Sequence, residues 1–421
     1  MMDLEKLAQR AEEEIAPQFA RLERISRENT GKILDSFRQH RVCEGHFAPS
    51  TGYGYDDRGR EVIEQVYADV FGCESALVRQ QIVNGTHALA IGLYGLLRPG
   101  DTLLSVADRP YDTLEEVIGL SGTPGNGSLK DFGIDYEQVN LKPDGSPDYG
   151  EIEKKLTDQV KVVFIQRSKG YLTRPTLSVD TIGEIISFVK ARSSAYVMVD
   201  NCYGEFTETK EPVAMGADLM AGSLIKNPGG GIAPSGGYIA GKRELVEKCG
   251  YRLTAPGVGL EVGASLGHTR ELFMGLFSAP HVVGEALKTA VFTAALFEGL
   301  GYRVSPGVSE HRADIIQTVE LGNADALISF CKGLQSGSPV DSFVVPEPWA
   351  MPGYDCEVIM AAGAFTLGAS IELSADAPLR EPFAVWMQGG LNYSSAKVGI
   401  MLAADRVLRD KNKSIINTDT I

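Results

Sequence analysis

Positive charge is scarce in this sequence. Its 421 residues include 40 lysines and arginines against 55 aspartates and glutamates, so the net charge at pH 7 is −15. Proteins that bind nucleic acid neutralise phosphates with basic patches, and no run of basic residues occurs along this chain. The composition therefore excludes nucleic acid as the expected partner.

Cysteines are few and scattered. The six of them form no CxxC pair; they are Cys43, Cys73, Cys202, Cys249, Cys331 and Cys356. In a chain of this length, such spacing indicates a reducing compartment and not a disulfide framework. The stretch from His40 to His46 contains ligand-type residues but matches no finger spacing, so we expect no metal site.

Long apolar runs are also missing. A membrane-spanning helix needs roughly 18 consecutive apolar residues, and the best candidate, Ala290–Leu296, is far shorter. The first residues are acidic and charged throughout, unlike a signal peptide. With 43% hydrophobic residues the chain can still bury a full core. We therefore expect a soluble, cytoplasmic protein with no membrane partner.

Two short apolar runs each end on one charged residue. Tyr196–Val199 leads to Asp200, and Leu219–Ile225 leads to Lys226, which precedes Asn-Pro-Gly-Gly-Gly. Such runs predict two buried parallel strands, and ligands bind outside the carboxyl ends of these strands. Pyridoxal phosphate needs a lysine for its imine and an acid opposite its ring nitrogen. Either residue alone could simply begin a loop, but together they favour a pyridoxal phosphate site.

A glycine turn joins another predicted strand to a helix. The strand-like run Ala76–Val83 is followed by Asn84-Gly85-Thr86-His87 and by the helical run Ala88–Leu97. Free backbone N–H groups and the helix dipole make such a turn an anion site. Similar turns also cap helices that bind nothing, and this one is neither a Walker A loop nor a GxGxxG fingerprint. By itself it is a weak signal for phosphate.

The remaining pattern alternates strands with helices. We predict an N-terminal helical arm with a subunit-contact loop over residues 1–60, with its first helix broken or capped near Pro17. A large cofactor-binding domain follows over 61–300 and a small C-terminal domain over 301–421.

Several stretches, in their order along the chain, resemble the fold-type I pyridoxal phosphate enzymes. The resemblance is strongest to the cystathionine/methionine gamma-lyase clan, in the branch labelled methionine gamma-lyase family or aluminium resistance protein. It covers about residues 50–400 and rests on IVNGTHALAIGLYGLLRPGD, FIQRSKGY, MVDNCYGEF, GSLIKNPGGGIAPSGGY and IMAAGAFTLGASIELSADAPLREPF. It implies an α/β fold with a mostly parallel, seven-stranded sheet sandwiched by helices, and a smaller α+β C-terminal domain.

The resemblance also assigns roles to individual residues. Lys226 would hold the cofactor covalently, Asp200 would bind the ring nitrogen, and Tyr111 would stack on the ring. The phosphate would be bound by three residues, which are Gly85, Thr86 and Ser223.

Other assignments concern a second subunit and the substrate. Tyr55 and Arg58 would reach the phosphate of a neighbouring subunit, which implies a homodimer or homotetramer with shared active sites. Their spacing departs from the Tyr-x-Arg of the clan, and Ile225 stands where the clan often has threonine. The arginine that binds the substrate carboxylate has no obvious equivalent; Arg380 is the nearest candidate and Arg167 the second.

The implied activity is carbon–sulfur bond cleavage in a sulfur-containing amino acid. Elimination from Cβ or Cγ would yield a keto acid, ammonia and a thiol, with Lys226 as general base and Tyr111 relaying a proton to the departing sulfur. We expect burial beside cationic groups to lower the pKa of Lys226. Two alternatives stay open: a transaminase, aldolase or decarboxylase with the same cofactor, or a cofactor-bearing metal-tolerance protein without turnover.

Overall fold

The computed structural model describes residues 4–351 and 356–418. The chain divides into two compact units, one over Glu28–Ala279 and the other over Met1–Arg27 together with Pro280–Ile421. Compact units need not coincide with domains, so the three-part division at residues 60 and 300 stays a prediction.

The unit over Glu28–Ala279 is built on a seven-stranded sheet. Its strands are β1 (Ser75–Arg79), β2 (Thr102–Ser105), β3 (Asp135–Gln138), β4 (Val160–Gln166), β5 (Tyr196–Asp200), β6 (Leu219–Ser223) and β7 (Gly237–Gly241). They lie in the order β1-β7-β6-β5-β4-β2-β3. β7 runs antiparallel to its neighbours β1 and β6, and all other pairs are parallel. The predicted mostly parallel sheet of an α/β fold is confirmed.

Helices precede, connect and follow these strands along the chain. They are α1 (Leu4–Gln39), α2 (Arg58–Phe71), α3 (Gly85–Leu96), α4 (Asp112–Ile118), α5 (Tyr149–Lys155), α6 (Val179–Lys190), α7 (Arg243–Leu253) and α8 (Thr269–Gly299). Helix α3 packs directly on the sheet, since a Cβ added to Gly92 would overlap the side chain of Met198 in β5. This close approach brings the N-terminus of α3 to the sheet edge where β5 and β6 end.

Helix α1 is continuous, so the break predicted near Pro17 is wrong. Proline removes one backbone hydrogen bond from a helix interior. Pro17 is exposed, whereas Ala11 and Ile15 are buried. Packing of this apolar face therefore maintains the helix through the proline.

The other unit contains a six-stranded antiparallel sheet. Its strands are β8 (Arg303–Ser305), β9 (Ile316–Glu320), β10 (Trp349–Ala350), β11 (Glu357–Ala362), β12 (Ser374–Pro378) and β13 (Ala384–Gln388), in the order β10-β11-β12-β13-β9-β8. Its helices are α9 (Ala324–Ser336) and α10 (Tyr393–Thr418). They pack closely, since a Cβ added to Gly333 would lie only 2.6 Å from the Cα of Ala403. The predicted α+β C-terminal part is confirmed. Among the helices described in both units, none has an apolar stretch long enough to cross a bilayer.

Candidate active site

Asp200 and Lys226 lie at the same edge of the large sheet. Asp200 is the last residue of β5 and pairs with Ala221 of the parallel strand β6. Lys226 follows shortly after Ser223, where β6 ends. Because parallel strands end at one edge, both side chains belong to the crevice where α/β folds bind ligands.

The carboxyl group of Asp200 is almost fully buried, with 6% of the residue exposed. Burial raises its pKa, while the ammonium of Lys226 and the N–H of Cys202 act in the opposite direction. The Cys202 N–H donates to Asp200 Oδ1 at 3.0 Å. This bond fixes one carboxylate oxygen and favours the charged form, and the carboxyl is near enough to Lys226 for their charges to interact.

The amine of Lys226 is half-buried, and its Nζ lies 4.0 Å from the centroid of the Tyr203 ring. Burial disfavours the ammonium, but Cys202, Tyr203, Tyr111 and Asp200 outweigh burial and raise the pKa of Lys226 above its ordinary value. The predicted lowering of this pKa is therefore wrong, because these neighbours are acidic and not cationic. The free lysine is an ammonium at neutral pH.

The N-terminus of α3 forms the predicted anion turn. The N-cap residue Asn84 accepts the N–H of His87 on Oδ1 at 2.8 Å and the N–H of Ala88 on its carbonyl at 3.1 Å. The N–H groups of Gly85 and Thr86 precede these two in the first turn, where a helix has no backbone acceptors of its own. They are therefore the donors that this turn offers to an anion.

Ser223 supplies a hydroxyl beside this turn. A Cβ placed on Gly85 would lie 3.4 Å from the Ser223 Cβ and 3.1 Å from the Cys202 Sγ. Ser223 is 1% exposed, and its Oγ has no hydrogen-bond partner within the described parts of the chain. A buried hydroxyl without a partner costs free energy, so this hydroxyl is available to donate a hydrogen bond to a ligand.

Tyr111 stands at the start of α4, next to the same turn. Its N–H donates to Gln166 Oε1 at 2.5 Å, and its ring lies 5.9 Å from that of Tyr171 between centroids. The hydroxyls of Thr86 and Thr113 are hydrogen-bonded at 2.7 Å, which joins the Tyr111 loop to the anion turn. Tyr111 also contributes to the raised pKa of Lys226. The loop thus brings an aromatic residue to the same crevice.

Pyridoxal phosphate fits this arrangement. The unpartnered Ser223 hydroxyl and the N-terminus of α3 suit a phosphate, the buried carboxyl of Asp200 suits a ring nitrogen, and the amine of Lys226 suits an aldehyde. Residues predicted from the sequence at four separate places therefore meet in one crevice.

Arg167, the second candidate for the substrate carboxylate, lies in a network of buried polar side chains. Its guanidinium is fully buried and donates to Asn201 at 2.7 Å, to Glu208 at 2.7 Å and to Glu211 at 3.2 Å. These bonds already engage both terminal nitrogens of Arg167. The assignment of this arginine to a substrate carboxylate finds no support in the structure; Arg167 holds the loop after β5 in place.

Three further predicted residues are on other parts of the chain. Tyr55 is 62% exposed and stacks on Tyr53 with 5.5 Å between ring centroids. Arg58 is exposed at the start of α2. Arg380 belongs to the other unit, just after β12. Their roles toward a neighbouring subunit and a substrate stay predictions.

Sequence reasoning missed two residues of the loop after β5. Tyr203 contacts Lys226, and Glu205 is fully buried with its Oε1 accepting from Tyr238 at 2.7 Å. The signal available was an aromatic and an acidic residue within a few positions of the strand-ending Asp200. No pattern in the sequence indicates in which direction each of these two side chains points from the loop.

Comparisons with known proteins agree with this geometry. The sequence model of a family described as methionine gamma-lyase matches residues 4–408. The uncharacterized protein YnbB of Bacillus subtilis is 51% identical over 407 residues, which are 96% of this chain and 97% of that protein. A crystal structure of a carbon-sulfur lyase involved in aluminum resistance, from Clostridium novyi, has a TM-score of 0.93 and 51% identity, and the match covers 96% of each chain.

A more distant structure shares the fold. The pyridoxal-5'-phosphate-dependent protein YhfS of Escherichia coli has a TM-score of 0.61 and 17% identity, with 91% of this chain and 96% of that one covered. At this identity the likeness shows the architecture alone, which is that of fold-type I pyridoxal phosphate enzymes.

Proposed function

The chain belongs to the methionine gamma-lyase family, and from this premise we propose that it is a pyridoxal phosphate-dependent carbon–sulfur lyase acting on a sulfur-containing amino acid. The observation that carries the proposal is the meeting of Asp200, Lys226 and the anion turn of α3 at one sheet edge. A carboxylate, an amine and phosphate donors in one crevice form the donor set that this cofactor requires.

Five residues would hold the cofactor in this crevice. The N–H groups of Gly85 and Thr86 and the Oγ of Ser223 would donate to the phosphate, while Asp200 would accept a hydrogen bond from the ring nitrogen and keep its proton in place. When bound through Lys226, pyridoxal phosphate supplies an electron-accepting ring for the electron pair left at the substrate Cα.

Lys226 would also act as the general base. With an amino acid in its place on the cofactor, Lys226 would be free as a neutral amine and would take the proton from Cα. The acidic surroundings that raise the pKa of Lys226 favour this transfer, because they stabilise the ammonium that forms. Tyr111, at the same crevice, would pass a proton to the departing sulfur. The net reaction cleaves one carbon–sulfur bond and consumes one water, which gives a thiol, a 2-keto acid and ammonia.

The site would be completed by a second copy of the chain. Tyr55 and Arg58 are exposed on a loop and at a helix start, where a basic residue can reach a phosphate in a neighbouring protomer. We propose a homodimer or homotetramer in which these two residues serve the partner's cofactor.

Product analysis tests the proposal. The full chain, loaded with pyridoxal phosphate, is incubated with L-methionine, L-cystathionine and L-cysteine, and keto acid, thiol and ammonia are measured. Equal amounts of keto acid, thiol and ammonia from one amino acid support a lyase. Keto acid with an aminated cofactor would instead identify a transaminase, release of carbon dioxide a decarboxylase, and a shortened carbon chain an aldolase. No product from any amino acid would favour a non-catalytic role.

Borohydride reduction tests the cofactor lysine separately. Mass spectrometry should find the reduced cofactor on the peptide that contains Lys226. The K226A variant should lose both this label and the activity, whereas K248A, which removes an exposed lysine of α7, should keep both.

A further inference from the structure

Tyr203 offers its aromatic face to the amine of Lys226. The distance of 4.0 Å from Lys226 Nζ to the ring centroid lies well within the range of about 6 Å for cation–π attraction. Tyr203 is itself half-buried at the crevice, so the contact is partly shielded from water. Such shielding strengthens a cation–π contact relative to one on the surface.

The backbone holds Tyr203 in a conformation that bulky residues seldom adopt. Its φ is +71°, in the left-handed region. Such a conformation persists only where the surrounding structure fixes it, and it is frequent at functional sites. Glycine would adopt this backbone conformation with less strain, yet the chain has a tyrosine here, and its ring lies directly beside Lys226.

Two sets of contacts fix this conformation. Asn227, the residue after Lys226, donates from Nδ2 to the carbonyl oxygens of Tyr203 at 2.9 Å and Glu205 at 3.0 Å. On the other side, a Cβ on Gly204 would lie 2.5 Å from Arg167 Cδ, so the loop rests tightly on the buried arginine. The segment with the ring is therefore tied to the segment with the amine.

We propose that Tyr203 is a positioning residue for Lys226: its ring receives the amino group when that group is not covalently bound, and holds the ammonium that forms when Lys226 takes the Cα proton. The proposal rests on the proposed function, since it assumes that Lys226 alternates between a bound and a free amine. It explains why the free lysine, after taking the Cα proton, stays within reach of the crevice.

Other charged and titratable groups also face this amine. Asp200, Cys202 and Tyr111 contribute to the raised pKa of Lys226, and the charge of Lys226 is felt in turn by Glu205. The hydroxyl of Tyr203 contributes to this pKa as well, so the test must separate the ring from the hydroxyl, and the pair Y203L and Y203F does so. Phenylalanine keeps the aromatic face and loses the hydroxyl, whereas leucine loses both.

The first readout needs no turnover. The full chain, freed of cofactor, is treated with a trace of acetic anhydride at pH 8, and the rate of Lys226 acetylation is compared with that of the exposed Lys210 by mass spectrometry. Losing the ring should lower the Lys226 pKa by about 0.5 to 1 unit and raise its rate about 3- to 10-fold in Y203L. Y203F should stay within about 2-fold of the wild type. Y196L, which removes an aromatic residue at the opposite end of β5, should leave the Lys226 rate unchanged.

The second readout is the pH profile of kcat in the loaded enzyme. This profile reports groups of the enzyme–substrate complex, in which Lys226 is a free amine, and a mere gain in accessibility would not shift it. Y203L should move the limb assigned to Lys226 to lower pH by a similar amount, and Y203F should not. An unchanged profile and acetylation rate in Y203L, or equal changes in Y203F and Y203L, would overturn the role of the ring. If borohydride labels a lysine other than Lys226, the proposed function fails instead, and the role of Tyr203 in catalysis fails with it.

Discussion

Gly85 packs so closely on Ser223 that a Cβ on the glycine would lie 3.4 Å from the Cβ of the serine. The contact joins the N-terminus of α3 to the end of β6, and so places two kinds of donor side by side. Backbone N–H groups come from the helix and a hydroxyl comes from the strand. Neither set alone points to a phosphate site, and their convergence is what supports the proposed one.

The S223A variant should bind pyridoxal phosphate about 10- to 100-fold more weakly, since it loses one hydrogen bond to a charged acceptor. Its free energy of unfolding without cofactor should not fall, because the Ser223 Oγ makes no hydrogen bond to any described residue. Equilibrium dialysis and denaturant unfolding measure the two effects. S187A, which removes a hydroxyl that bonds within α6, should leave cofactor affinity unchanged. Equal affinity in S223A and S187A would contradict the phosphate assignment.

The D200N variant keeps the shape of the side chain and removes its charge. Cofactor should still bind, but kcat should fall by at least about 100-fold, because the ring nitrogen loses the carboxylate that keeps it protonated. Absorbance titration with pyridoxal phosphate and steady-state kinetics separate binding from catalysis. If D200N keeps nearly full kcat, the ring nitrogen does not bind Asp200.

The parts of the site that the sequence could predict lie on regular elements. Asp200 and Lys226 follow buried apolar runs, and the parallel pairing of β5 and β6 brings them together by geometry alone. The strand–turn–helix pattern indicates an anion turn at residues 84–87, and the family resemblance adds Gly85 and Thr86 as its phosphate donors. Their positions depend on backbone periodicity, which the sequence reveals.

The parts that could not be predicted depend on loop conformation and on neighbours distant in sequence. Tyr203 faces Lys226 because of a positive φ that no residue pattern reports. Arg167 comes directly after β4, as Asp200 comes at the end of β5, yet its partners Glu208 and Glu211 come from a later loop. The sequence shows that Arg167 ends a strand, but not that two glutamates already bind it.

The R167M variant tests this structural role. Removing a fully buried guanidinium leaves Glu208 and Glu211 without their partner, and losing one side of a buried ion pair costs about 3 to 5 kcal/mol of stability. Denaturant unfolding should show this loss. R192M breaks the more exposed pair of Arg192 with Glu153 and should cost less than about 1 kcal/mol. If R167M keeps the stability of the wild type and only its KM rises, Arg167 binds the substrate.

Mixed oligomers test the shared site. R58A and K226A should each be inactive alone if Arg58 serves the neighbouring protomer. Random mixing of refolded subunits in a dimer should then restore about a quarter of wild-type activity, because half of the dimers are hybrids and each hybrid has one intact site. Activity is measured after mixing, with unmixed variants as controls. If mass spectrometry shows that the subunits have mixed but no activity returns, Arg58 does not serve the site of the neighbouring protomer.

Glu205 gives a prediction about pH. Burial raises the pKa of its carboxyl to about 8, against opposing contributions from Tyr238 and Lys226, and its Oε2 has no hydrogen-bond partner among the described residues. Below about pH 4.5 the carboxyl is protonated in both the folded and the unfolded chain, so it affects stability little. Between about pH 4.5 and 8 the unfolded chain loses this proton while the folded chain keeps it, so stability falls as the pH rises.

The E205Q variant should therefore be increasingly stabilised relative to the wild type as the pH rises from 5 to 8. Glutamine mimics the protonated acid and can still accept the hydroxyl of Tyr238. The limit set by the pKa difference is roughly 5 kcal/mol, and a gain of 2 kcal/mol or more between these pH values would support the assignment. Urea unfolding of the cofactor-free chain at several pH values measures it, with E153Q as a matched exposed control whose difference from the wild type should stay flat. If E205Q instead loses stability as the pH rises, the Glu205 carboxylate is charged in the folded protein and Lys226 is the cation that stabilises it.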